Sequence, residues 1–267
     1  MFAYPFMVNA LEAGTIVALV AAVTGWFMVL RRQAFAGHTL AVMSFPGASA
    51  AALAGIPLAA GYFASSAAAA VAIAAGSRAR DGRDPVQESA VIGTVQVAGL
   101  ALGFLFLSLY GGILESLETM LFGSFLGITP NQVLGLLGVG GATVLFFAIA
   151  GRPLLYASVD PLAARARGVP VRVLEPAFLI VLGLAVAATA QITGVLLVFA
   201  LLVAPAAAAQ ELTPRVWLGL ALTAAIAVAV TWLSLTLAYY ADYPVGFFVT
   251  SLGFGAWVAA SLWRRVC

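Results

Sequence analysis

The chain has 267 residues, 64% of them hydrophobic and only 8% charged, with a net charge of +2. Soluble domains carry roughly a quarter charged residues, so this composition excludes an ordinary water-soluble fold and points to an all-α, polytopic integral membrane protein. All twelve basic residues are arginine. Without lysine there is no Walker A loop and no Schiff-base chemistry, and one histidine with one cysteine (Cys267) makes neither an internal disulfide nor a Cys/His zinc site.

Runs near the ~20 residues that a spanning helix needs follow one another along the chain. The first is expected from about Ala13 to Leu30, stopped by Arg31 and Arg32. No basic region precedes it, so no cleavable signal peptide is expected. The second is expected from about Leu40 to Leu53, turning at Gly55-Ile56-Pro57, and the third from about Ala60 to Ala75. The fourth covers about Ser89 to Tyr110, with Glu115 and Glu118 beyond it. Met120 to Ile128 is too short to cross and reads as re-entrant or interfacial. The fifth covers about Val133 to Ala150 and the sixth about Leu174 to Thr189. The seventh contains Pro205; the eighth runs from about Trp217 to Ala238 and the ninth from about Gly246 to Leu262. Eight or nine spans in one domain, residues 1–267, are therefore expected. The loops at 31–38, 77–88, 151–173, 210–216 and 264–267 hold every arginine. Arginine gathers on the cytoplasmic side, so with nine spans the N-terminus is outside and the C-terminus inside.

Within the seventh span, Thr193 to Ala209 holds no charge, and Pro205 removes a backbone donor in mid-helix. The small residues after it let neighbouring backbones approach. Pro205 is expected to bend or break the helix. Gly99 and Gly103, four apart in the fourth span, fit a close helix crossing.

The cytoplasmic loop at about 152–172 contains Val159-Asp-Pro-Leu-Ala-Ala-Arg-Ala-Arg-Gly-Val-Pro-Val171. Asp160 suits an N-cap and Pro161 the first helical position. Gly168 suits a left-handed end, and Pro170 blocks extension. This predicts a helix of about two turns, too short to be stable alone in water. It is either a capped surface loop or a docking element.

A second stretch, Leu30-Arg-Arg-Gln-Ala-Phe-Ala-Gly-His-Thr-Leu-Ala-Val-Met-Ser-Phe-Pro-Gly47, carries the only histidine, His38. Unaided, His38 reads either as an interfacial histidine or as a contact for an ion. Glu12, at the outer end of the first span, and Asp242, in a Pro/Gly turn, each read as structural or as cation contacts.

Taken together, these stretches resemble the permease subunits of ATP-binding-cassette transporters for zinc, manganese and iron chelates. The family has G-L-L-x-x-A-L-L-x-x-P-A-A-x-A near Pro205, D-P-E-x-A-x-x-x-G-V at Asp160, Pro161, Ala164, Gly168 and Val169, and R-R-x-x-F-x-G-D-A-L-S-H-A-x-x-x-G at Arg31 to Gly47. Leu121 to Leu126 and Tyr239 to Phe247 resemble two further family segments. The resemblance covers roughly residues 5 to 260. It implies that residues 160–169 form a coupling helix gripped by a cytoplasmic ATPase subunit. It also implies a homodimer around a central path and an extracellular metal-binding protein that delivers the ion. On this alignment His38 stands at a family aspartate, Val42 at a family histidine and Leu162 at a usual acid. His38, Glu12 and Asp242 are the candidate contacts for a divalent metal, which is substrate rather than resident cofactor. The chain itself is expected not to be an enzyme, and no nucleic-acid partner is expected. The runner-up is a stand-alone secondary carrier or channel, and a third reading is an intramembrane enzyme. Both suffer from the scarcity of ionisable residues within the spans.

Overall fold

A computed structural model describes residues 4–79, 85–111, 128–241 and 243–266, and every element in these segments is α-helical. The helices are α1 (Pro5–Leu30), α2 (Ala34–Val42), α3 (Ser44–Ala54), α4 (Leu58–Ala79), α5 (Pro85–Tyr110) and α6 (Pro130–Val159). They continue with α7 (Pro161–Ala166), α8 (Val171–Thr193), α9 (Val195–Leu212), α10 (Val216–Ala241) and α11 (Val245–Val266). Seven of these are long and apolar enough to cross a bilayer, and α9 is a shorter apolar helix. The chain is thus a multi-pass membrane protein. Glu115, Glu118 and most of the short apolar piece at 120–128 lie outside the described residues, as does Asp242.

Three expectations need correcting. The helix expected from Ala13 begins eight residues earlier, because Pro5 takes the first helical position, where its missing N–H costs nothing. Glu12 is therefore inside α1 rather than at its end. The second span is two helices parted at Met43. Pro46, in the first turn of α3, has no N–H to offer the Val42 carbonyl, so a continuous helix would lose a bond there. Pro205, in contrast, does not break its helix: α9 runs unbroken from Val195 to Leu212, with Pro205 inside it. Ala206, Ala208 and Ala209 of α9 are fully buried, and α1, α8, α10 and α11 pack around the helix, the situation in which an apolar helix tolerates a proline. The real interruption lies upstream, at Gly194. Its φ of 78° and ψ of 156° lie in a region open essentially to glycine, and this one residue joins α8 to α9.

α1 lies at the centre, against α6, α9 and α10. Lipid is as apolar as leucine, so helices associate in it through close packing rather than water exclusion. Glycines make that packing close. A methyl group on Gly25 would lie 2.1 Å from the Leu202 carbonyl oxygen, and Gly47 and Gly61 meet backbone to backbone where α3 crosses α4. The Gly99/Gly103 pair does face a close crossing: Met43 lies on Gly99, and Phe45 and Pro46 lie on Gly103. Four buried hydroxyls, of Thr24, Thr143, Thr189 and Thr231, are satisfied inside their own helices by donating to carbonyls one turn back.

Contacts between distant residues set the helix directions. Asn9 donates to the Ile128 carbonyl, and Arg31 donates to Ser158, so α1 and α6 run parallel. Gln210 donates to the Trp26 carbonyl and Arg264 pairs with Glu211, which brings the ends of α9 and α11 to the same side. Trp232 donates to Thr15 and Gly219 packs on Trp26, so α10 runs opposite to α1. Arginine-bearing ends therefore gather on one side. Exposed aromatics mark the ends of the outer helices: Trp217 and Trp263 beside the arginines, Tyr240 and Tyr243 at the far side. That is the placement of an aromatic belt at a membrane surface.

Candidate functional site

At the arginine side α7 forms as its sequence dictates. The Asp160 carboxylate accepts from the backbone N–H groups of Leu162 and Ala163, at 3.0 and 2.9 Å, and Pro161 occupies the first helical position. At the other end Gly168 adopts φ 81°, its N–H donates to Arg165, and the Val169 N–H reaches back to the Ala164 carbonyl at 3.0 Å. This is a Schellman closure, which takes up carbonyls that a helix end would otherwise leave unpaired. Ala164 is buried against Ala157 and Val171, where α6 ends and α8 begins. Leu162, Arg165 and Arg167 face outward. All five residues singled out here, Asp160, Pro161, Ala164, Gly168 and Val169, thus serve to build and seat one short helix.

His38 lies on α2, half-buried, with its ring edge-on to Phe199 of α9 at 4.9 Å between centroids. Its Nδ1 is buried without a hydrogen-bond partner in the protein. Beside it Thr39 donates to Gln96 of α5 at 2.9 Å. Val42, one turn on, is buried. Two adjacent polar residues of α2 thus meet two different helices, His38 the Phe199 ring of α9 and Thr39 the Gln96 amide of α5. A polar seam continues between Ser44 and Ser66, whose hydroxyls are 3.3 Å apart, with Ser66 also donating to the Leu40 carbonyl.

Glu12 is exposed on α1. The rise of α1 from Glu12 to the corner leading into α2 is about 27 Å. Glu12 and His38 therefore occupy different surroundings. Among the described residues no three of His, Cys, Asp or Glu gather to hold a metal. Along α2 the chain offers an imidazole, hydroxyls and an amide.

Arg31 was not singled out by sequence reasoning. Its Nε donates to Gln33 and its Nη1 to Ser158, both at 3.1 Å, and its guanidinium lies over the Phe178 ring at 5.2 Å. Burial lowers its pKa from the ordinary value, opposed by the carboxylates of Glu175 and Glu88. An arginine starts so high that the group stays charged. The only hint in the sequence is an Arg-Arg pair at a span end, which positive-inside bias explains equally well.

A crowded helical bundle with a polar seam, and a short capped helix outside it, is the form of a transporter's membrane subunit. The chain belongs to the ABC 3 transport family, whose model matches residues 3–264. It is 31% identical over 228 residues to the manganese transport system membrane protein MntC of Halalkalibacterium halodurans, covering 85% of this chain and 77% of that one. It is 33% identical over 204 residues to the chelated iron transport system membrane protein YfeD of Yersinia pestis, covering 76% and 67%. Its fold is similar to a chain of PsaBC from Streptococcus pneumoniae, solved in complex with a Fab. That match has a TM-score of 0.83 and 25% identity, and covers 96% of this chain and 91% of that one. The chain is accordingly a permease subunit of the metal-type ABC transporters.

Proposed function

We propose that this permease is the gated path of an ATP-driven importer for zinc, manganese or iron in the cell's inner or plasma membrane. Two copies enclose the path. A separate cytoplasmic ATPase subunit hydrolyses ATP and moves α7, and an extracellular metal-binding protein presents the ion at the opposite mouth. The arginine side faces the cytoplasm, which leaves the N-terminus outside. His38 meets the ion within the path, while Glu12 and Asp242 attract it near the outer mouth. The metal is cargo, and no resident cofactor is needed.

The observation that carries this reading is α7. It is six residues long, capped at both ends, and seated on the bundle by Ala164 while Leu162, Arg165 and Arg167 point away. A helix this short gains nothing by standing free in water. Its caps hold it ready for a partner. The relatives' names support the cargo, and the absence of lysine leaves these 267 residues without a Walker A loop.

Two measurements test it. Gly168→Val forces a branched side chain onto φ 81°; the ATPase subunit that co-purifies with the unaltered permease should then be lost. His38→Ala should lower uptake of manganese, zinc or iron by about fivefold, the scale of one net hydrogen bond of about 1 kcal/mol. Uptake of all three metals at the unaltered rate removes His38 from the path.

A further inference from the structure

The corner between α1 and α2 is more tightly determined than a loop needs to be. Arg32 takes φ 56°, rare for a residue with a side chain. The N–H groups of Arg31, Arg32 and Gln33 all return to α1, on Phe27, Val29 and Met28. Arg31 then spans two elements. Its Nε holds the side-chain oxygen of Gln33, which precedes the first residue of α2. Its Nη1 holds the Ser158 hydroxyl in the last turn of α6, and that hydroxyl donates onward to the Leu154 carbonyl.

We infer that Arg31 is the strut through which movement of α7 reaches α2 and His38, a positioning residue rather than a contact for the cargo. This rests on the reading that the ATPase subunit acts on α7. On one side of the strut, Ser158 stands two residues before Asp160. The Asp160 N–H still bonds to Tyr156, so no slack separates α6 from α7. On the other side, the Gly37 N–H bonds to the Gln33 carbonyl, which makes Gln33 and His38 parts of one rigid turn. Gly37 also packs directly on the Met28 sulfur, which brings α2 close to α1 at this corner. The polar route from α7 to His38 therefore runs through one guanidinium, beside the apolar packing of Ala164 on Val171 of α8.

The planar fork matters. It donates in two fixed directions at once, which a lysine ammonium cannot reproduce. Glu175 of α8 and Glu88 of α5 face it with opposite charge, and the Phe178 ring supports its face. Other contacts hold α1 in the bundle: Gln210 on the Trp26 carbonyl, and the stacked rings of Phe27 and Phe147. Loss of the strut should leave the subunit assembled but poorly driven.

The test uses the permease with its ATPase subunit and its metal-binding protein in liposomes, measuring Mn²⁺ uptake and phosphate release together. Arg31→Met should keep the ATPase bound and hydrolysing while Mn²⁺ moved per ATP falls about tenfold, and Arg31→Lys should fall between. Ser158→Ala should lower the same ratio, and the double variant should go no lower than Arg31→Met alone, the signature of residues acting as one unit. An unchanged ratio, uptake and hydrolysis falling in step, or losses that multiply would each overturn the inference. If Arg31→Met does not fold, Ser158→Ala decides: an unchanged ratio sinks the strut. If the unaltered permease binds no ATPase, the functional reading fails, and the strut fails with it.

Discussion

α1 and α5 each have 26 residues and contain equally apolar spanning windows, yet 67% of that window is buried in α1 and only 17% in α5. Water-driven burial cannot separate them, because in a bilayer both are equally well solvated by lipid. The difference lies in where small residues meet a neighbouring helix. α1 buries Ala10, Ala13, Gly14, Ala18, Ala21, Ala22 and Gly25, which spread around the helix and admit neighbours on several sides. On α5 Gly99 and Gly103 meet Met43 and α3, and Val91 meets Gly76 of α4, while Val97, Leu102, Phe104, Leu105 and Leu109 point outward, as do the small residues Ala98 and Ala101. Polar ties follow the same division. α1 is bonded to α6, α9 and α10, and α5 to α2 through Gln96.

The contrast can be broken most severely at Gly25. Gly25→Leu drives a side chain into the Leu202 backbone, where no rotamer change makes room. Overpacking costs about 1–3 kcal/mol when side chains can yield, and more when backbone must move. Little detergent-soluble, monodisperse protein should be recovered; normal yield and melting temperature would show that α1 is not held as described. A smaller loss is expected at Gly103→Val. It meets the Phe45 ring first, 2.7 Å from a Cβ, and the ring can turn, although the Pro46 backbone follows at 3.0 Å. The melting temperature should fall measurably with the fold retained, at a cost of about 1–2 kcal/mol. The smallest effect belongs to the outer face. Leu105→Ala should change stability by less than about 0.5 kcal/mol if lipid covers Leu105. A shift in sedimentation from dimer to monomer would instead assign that face to a second copy.

Much of the architecture is written in apolar run lengths, and the short helix α7 is legible residue by residue, from Asp160 and Pro161 to Gly168. Apolarity hides what happens within a run. The parting at Met43 lies in an unbroken apolar stretch, and its one local sign is Pro46, three residues later. Gly194 interrupts a longer run for a different reason, a backbone conformation that only glycine takes readily. Pro205, the most conspicuous signal for a break, leaves α9 continuous because packing surrounds it. The site divides in the same way. α7 depends on neighbours in sequence, whereas the Arg31–Ser158 bond joins residues 127 positions apart. The setting of His38 likewise depends on Phe199, from a distant helix.

The exposed aromatics at the helix ends limit how such a bundle can move. Trp217 and Tyr240 sit at opposite ends of α10, and Tyr243 and Trp263 bracket α11. Rings of this kind prefer headgroup depth. A piston stroke along the membrane normal would drag one ring of each pair into hydrocarbon and the other into water. Tilting or rolling about the anchored ends leaves both at their preferred depth, so the outer helices favour rocking over sliding.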